Sequence, residues 1–300
     1  MSRPAAAETL GITLGFVAVV IFAGSLPATR LAVQSLDANF VTAARAAMAG
    51  LVALPVLAAV RRPPPWRDLP KLGLCALCLV AGFPAFTAFA LRSLPAAHGG
   101  AVLGLTPLAT AAFAALVDRD RPSPAFWLCS ALGAALVVGF ALQRGGGALR
   151  ADDALLLGAV ACAACGYTWS AQLSRRLSPP EVISWIVVLA LPASLPLSFV
   201  WRPTNPGAVA PLAWASLAYV GAMSMYLGYF AWNAGLARGG VARVSQVQLL
   251  QPFLTFAIAA AVLGERIDAA TAIVALVVVA LVFASRRTRV DAPRTAAAQA

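Results

Sequence analysis

The sequence predicts an all-α integral membrane protein whose ten transmembrane helices form two inverted five-helix repeats. Three observations predict it. First, 61% of the 300 residues are hydrophobic and only 11% are charged, whereas a soluble domain is about half apolar and about a quarter charged. Second, the apolar residues gather into runs near the roughly 20 residues that cross a 30 Å hydrocarbon core. Third, residues at an offset of 145 match in kind across the middle of the chain.

In order, the runs cover about 10–29, 38–60, 70–91, 98–117, 122–142, 154–173, 181–201, 211–236, 242–263 and 267–285. The first does not read as a signal peptide. Its flank is weakly basic, no small-x-small cleavage site follows, and nine more spans come after it. The break between the fifth and sixth runs, Arg144 to Asp153, is rich in glycine and charge and reads as a linker. It divides the chain into a first repeat at 1–143, a linker at 144–153, a second repeat at 154–286 and a tail at 287–300.

Charge sets the orientation. With the N-terminus inside, inner segments hold most of the 22 Lys and Arg, including Arg61, Arg62, Arg67, Lys71, Arg175, Arg176, Arg286 and Arg287. Short cytoplasmic loops carry this excess, so both termini are expected in the cytoplasm. The net charge of +11 is thereby explained by topology, and nucleic acid is not an expected partner. Cys75 and Cys78, like Cys162 and Cys165, have CxxC spacing. They sit in apolar runs with no His or acid beside them, so they read as small packing residues and no metal or cofactor is expected.

The 145-residue offset lays Leu105 on Leu250, Pro107 on Pro252, Thr110 on Thr255, Asp120 on Glu265 and Arg121 on Arg266. An offset of 143 lays Ser25 on Thr168 and Thr29 on Gln172. Five spans per half make the halves antiparallel across the membrane. Inverted repeats with substrate between them are a common plan for secondary transporters.

The stretch Gln251-Pro-Phe-Leu-Thr-Phe-Ala-Ile-Ala-Ala-Ala-Val-Leu-Gly-Glu265, together with Arg45 in the second run, resembles the drug/metabolite transporter superfamily, in its ten-helix EamA-type branch. The resemblance covers nearly the whole chain. It implies the inverted-repeat fold and a carrier of small molecules, and the YddG-like amino-acid exporters share this architecture. The first repeat departs from the pattern, with Asp120 where Glu is usual, so the resemblance assigns the acid no shared catalytic role.

Helical spacing gives the candidate cavity residues. In helix 8, Tyr219, Met223, Tyr226, Phe230 and Asn233 share a stripe, flanked by Met225, Tyr229 and Trp232. In helix 9, Gln248, Gln251 and Thr255 share a face beside Pro252. Ser25 in helix 1 matches Thr168 in helix 6, next to Trp169. The expected cavity lies among helices 1, 3, 4, 6, 8 and 9. Its candidates are Ser25, Thr168, Trp169, Tyr226, Tyr229, Trp232, Asn233, Gln248 and Gln251. Small polar residues also pack membrane helices without any ligand, and that reading is preferred for Ser25, Thr106, Thr110 and Thr255. Gln248 and Gln251 read as cavity residues, because a buried amide has more donors and acceptors to satisfy.

Pro107 and Pro252 read as mid-helix kinks or hinges, each removing a backbone hydrogen bond. Arg45 and Glu265 read as gate or structural residues; Arg45 is expected to snorkel toward the outer surface, with contact to a substrate carboxylate or an outer gate as the functional alternative. His98, the only histidine, reads as a solvated helix-end residue. All 11 acids lie at span ends or in loops, which argues against a proton-coupled carrier of cationic drugs.

The expected partners are a small-molecule substrate and the bilayer, with the protein a monomer or homodimer. The expected activity is export of small neutral or zwitterionic metabolites, plausibly aromatic or other apolar amino acids. Multidrug or other metabolite efflux is the alternative. An intramembrane enzyme is disfavoured: Ser25 and His98 lack a nucleophile's setting, and Asp152-Asp153 stands alone in the linker. A membrane scaffold would not need polar matches in both halves.

Overall fold

A computed structural model describes residues 5–60, 65–117, 121–122, 124–144, 150–174, 176–239, 247, 250–287 and 290–291. Apart from one two-residue pairing, its regular structure is helical. Gln248 lies outside the described residues, as do the side chains of Pro107 and Asn233.

The first span is α1a (Ala5–Ala23) and α1b (Ser25–Val33), joined at Gly24. Pro27 explains the break: it has no N–H to give the carbonyl of Ala23 four residues back. That carbonyl instead accepts a 3.0 Å hydrogen bond from Thr255 Oγ1. The neighbouring carbonyl of Ile21 accepts one of 2.7 Å from Tyr219 Oη. Gly24 allows this approach, since a Cβ there would lie 2.5 Å from Tyr219 Oη.

Next come α2 (Ala38–Val60) and α3, built of Leu69–Cys75, a π-helical stretch at Ala76–Gly82, and Phe83–Ala90. The fourth span is again divided, into α4a (Ala96–Leu103) and α4b (Thr106–Val117). The first half closes with α5 (Pro124–Arg144). The second half runs α6 (Ala151–Leu173), α7 (Pro179–Val200), α8, α9 (described over Gln251–Leu263) and α10 (Ala269–Arg287). Helix α8 consists of Pro211–Ala218, a π-helical stretch at Tyr219–Leu227, and Gly228–Gly239. A short antiparallel pairing of β1 (Arg121–Pro122) with β2 (Val290–Asp291) sets Arg121 opposite Asp291.

Six helices among the described residues are long and apolar enough to cross a membrane, and three shorter ones are also apolar. The run Pro211–Gly239 completes the ten.

The packing follows the repeat. Helix α2 packs on α7, α4a on α9 and α5 on α10, and each of these pairs exchanges its members when the halves are swapped. Helix α1 packs on α8 as α6 packs on α3, and α1 on α9 as α6 on α4b. These are the contacts that a two-fold relation between the halves requires. The π-helical stretches of α3 and α8 also fall at matched places, since Ala76–Gly82 moved by 145 overlaps Tyr219–Leu227.

Two expectations change here. Pro107 follows the break in the fourth span, and Pro252 lies at the start of the described part of α9. Each is the second residue of its segment, α4b or α9, where a missing N–H costs nothing because the first-turn donors have no intrahelical partner. The break in the fourth span lies just before its proline, at Gly104-Leu105. Also, Asp152 and Asp153 are not in a linker, for α6 begins at Ala151. Acids in a first turn are favoured by the helix dipole, and Asp153 accepts from its own helix's Arg150 N–H at 3.4 Å.

Candidate functional site

A two-lobed cavity lies at the centre, where the two halves meet. Phe22, Ser25, Phe83, Tyr167 and Gln251 line both lobes. One lobe adds Arg45, Leu79, Val80, Ile183, Ser224, Met225 and Tyr229. The other adds Leu26, Gly100, Leu103, Gly104, Thr106, Pro252, Thr255 and Val279. The walls thus come from α1, α3, α4, α8 and α9, with single residues from α2, α6, α7 and α10.

Of the candidate residues, Ser25, Tyr229 and Gln251 line this cavity, as do Arg45 and Pro252. Ser25 opens α1b, the segment after the break in the first span, and Gln251 opens the described part of α9. At a helix start the backbone donors are free, so the break in the first span turns polar groups toward the space between the halves.

Tyr226 lies elsewhere. It is fully buried, with its hydroxyl 2.8 Å from Ser184 Oγ on α7 and its ring edge-on to Phe230. Its stripe of α8 faces α7, while Ser224, Met225 and Tyr229 on the neighbouring stripe reach the cavity. Trp232 meets Phe22 edge-on at 6.4 Å and lines neither lobe among the described residues.

Thr168 is buried, and its hydroxyl donates to Ala164 O at 2.8 Å and Thr110 O at 3.4 Å. It therefore fastens α6 to α4b. Trp169 packs edge-on against Phe113 at 5.4 Å. Sequence reasoning missed Phe22, Phe83, Tyr167 and Ser224. Tyr167 carries a usable signal, a tyrosine in mid-span with no interface to anchor to.

Arg45 does not snorkel. It is 3% exposed, and its Nε has no hydrogen-bond partner. Its neighbour across the lobe is Tyr229, whose ring meets Phe22 at 5.2 Å. No Asp or Glu is among the described lining residues.

The ends of the spans nearest Gly264 are tied by polar contacts. Gly264 stops α9 at φ +66, a left-handed conformation that suits glycine. The turn delivers Glu265 to the start of α4a, where its two carboxylate oxygens accept from the Ala96 N–H at 2.8 Å and the Ala97 N–H at 3.0 Å. His98 is not solvated. It is 6% exposed, its Nε2 lies 2.8 Å from Asp153 Oδ1, and its ring stacks on Phe140. Ser93 Oγ donates to Asp152 Oδ2 at 2.6 Å, and Arg30 Nη1 to Leu91 O at 2.5 Å. At the opposite end Lys71 Nζ donates to Gln172 Oε1 at 2.6 Å, and Arg176 pairs with Asp68. Among the described residues no group of acids, His and Cys is placed to hold a metal ion.

The sequence profile of the EamA-like transporter family matches residues 9–142 and again residues 152–286. The chain belongs to this family. This EamA transporter is 46% identical over 280 residues to the "Uncharacterized transporter YdeK" of Bacillus subtilis (strain 168), spanning 93% of the chain and 98% of that protein. It is 27% identical over 180 residues to the "Aromatic amino acid exporter YddG" of Ancylobacter novellus, spanning 58% of the chain and 61% of that protein. A solved crystal structure covers 95% of the EamA chain and 99% of its own at a TM-score of 0.62 and 21% identity, a likeness of fold. The EamA chain is therefore a multi-pass membrane transporter.

Proposed function

We propose that this EamA transporter exports small zwitterionic metabolites, amino acids with apolar or aromatic side chains above all, by alternating access of its two halves around the central cavity. The observation that carries the reading is the cavity's make-up. Aromatic rings (Phe22, Phe83, Tyr167, Tyr229) offer an apolar body its surface, and Ser25, Ser224 and Gln251 offer polar ends. The aromatic amino acid exporter among the relatives is consistent with that substrate class. Cationic drugs fit less well, because the described lining holds no carboxylate to meet them. The broken first and fourth spans and the start of α9 supply the places where the halves bend. Pro107 and Pro252 act as the matched hinge residues in this reading. The protein works in the plasma (inner) membrane, as a monomer or homodimer with both termini in the cytoplasm, and without a chemical step.

Reconstitution into proteoliposomes with a labelled amino-acid panel tests this. Saturable, competable flux of aromatic or branched amino acids is expected. Absence of flux across the whole panel refutes the amino-acid assignment.

A further inference from the structure

We infer that Arg45 is the carboxylate-recognition residue of the cavity, so that the substrates are small carboxylic acids with an apolar or aromatic body. The inference rests on reading the cavity as the transport site, and it adds which residue recognises the substrate and which substrate group is obligatory.

Arg45 is a buried cation with no ion pair among the described residues. Its Nε is wholly enclosed and donates to nothing. An intramembrane arginine costs about 2.5–3.5 kcal/mol on insertion scales, and a buried charge is normally compensated by a partner. Nor can it withdraw. A Cβ on Gly221 of α8 would lie 3.3 Å from both Arg45 Cα and Arg45 O, so α8 closes directly over the α2 backbone at this point. What remains free is the guanidinium at the wall of the lobe.

The Nη–H groups of a guanidinium at the wall of the lobe form a fork that a carboxylate meets with two parallel hydrogen bonds. The lobe supplies one such cation, which matches one carboxylate; a phosphate dianion calls for more. The hydroxyls of Ser25, Ser224 and Tyr229 and the Gln251 amide stand around the same space for the polar groups beside that carboxylate. The rings of Phe22, Phe83 and Tyr167 take the apolar body, and their faces also favour an ammonium.

The test compares acids with their amides on purified full-length protein, by titration calorimetry and thermal shift. The probes are L-phenylalanine against L-phenylalaninamide, and 3-phenylpropionate against 3-phenylpropionamide. Wild type is expected to bind each acid about tenfold or more tighter than its amide, the scale of a charge-assisted bidentate pair. Arg45→Gln should bring that ratio to about one, and Arg45→Lys should recover part of it. Arg45→Met should melt no lower than wild type, because it removes an unpaired buried charge.

An acid-to-amide ratio near one in wild type, or one retained in Arg45→Gln, overturns the assignment. So does a protein that binds neither acid. A marked fall in melting temperature for Arg45→Met with an unchanged ratio in Arg45→Lys also overturns it, by making the residue structural. If wild type discriminates acids from amides yet shows no proteoliposome flux, the transport reading of the cavity fails while the Arg45 assignment stands.

Discussion

Replacing Glu265 by alanine removes both acceptors at the start of α4a. The Ala96 and Ala97 N–H groups bond its carboxylate at 2.8 and 3.0 Å and have no acceptor within their own helix. Hydrogen bonds to a charged group contribute about 1.5–3 kcal/mol each. Glu265 is half-exposed, so water can replace part of the loss, and a total of about 2 kcal/mol follows from the lower end of that range. For a chain of this size each kcal/mol moves the midpoint by about 2 °C, so Glu265→Ala should lower the apparent Tm in detergent by about 4 °C. Glu265→Gln keeps an oxygen acceptor but loses the charge, so it should fall between the two. The assay is thermal unfolding followed by intrinsic fluorescence at fixed detergent and lipid. A Glu265→Ala protein that melts with wild type, or a Glu265→Gln protein that melts below Glu265→Ala, refutes the capping argument.

Tyr226→Phe and Tyr229→Phe separate packing from the cavity. The first should cost about 1 kcal/mol of stability through its lost bond to Ser184 with substrate preference unchanged, while the second should alter substrate KM with little change in Tm. Gly24→Ala should be strongly destabilising, because its Cβ would lie 2.5 Å from Tyr219 Oη. Adding Tyr219→Phe should restore part of the loss, and strictly additive melting temperatures would refute the clash. Gln251→Leu should change substrate preference more than Thr106→Val, since Gln251 borders both lobes and Thr106 only one; equal shifts in competition assays against a panel of amino acids would refute that ranking.

The parts of this fold legible in the sequence are those written locally. A span needs about 20 apolar residues in a row, and the division into halves shows in residues that match at a constant offset. What depends on distant partners is not legible. Glu265 meets residues 169 and 168 positions away, and His98 meets Asp153 across 55, so neither partner can be named from neighbours in the chain. The cavity face of α8 is obscured for another reason. The two neighbouring aromatic stripes of α8 look alike in the sequence, and only the bond of Tyr226 to Ser184 shows that its stripe turns to α7 while Tyr229 reaches the cavity. Arg45 shows the reverse problem. Its sequence position allows the side chain to reach the surface, and only the packing of α8 against α2 shows that it stays inside.

The carboxylate at the start of α4a has a consequence for synthesis. Glu265 leaves the ribosome 169 residues after the amide that it bonds at Ala96. At about 5–20 residues per second, the fourth span waits on the order of 10–30 s with those two amides open to water or lipid headgroups. The first half therefore enters the bilayer unfinished. The fastening of α4a arrives only when the ninth span has crossed and Gly264 has turned the chain.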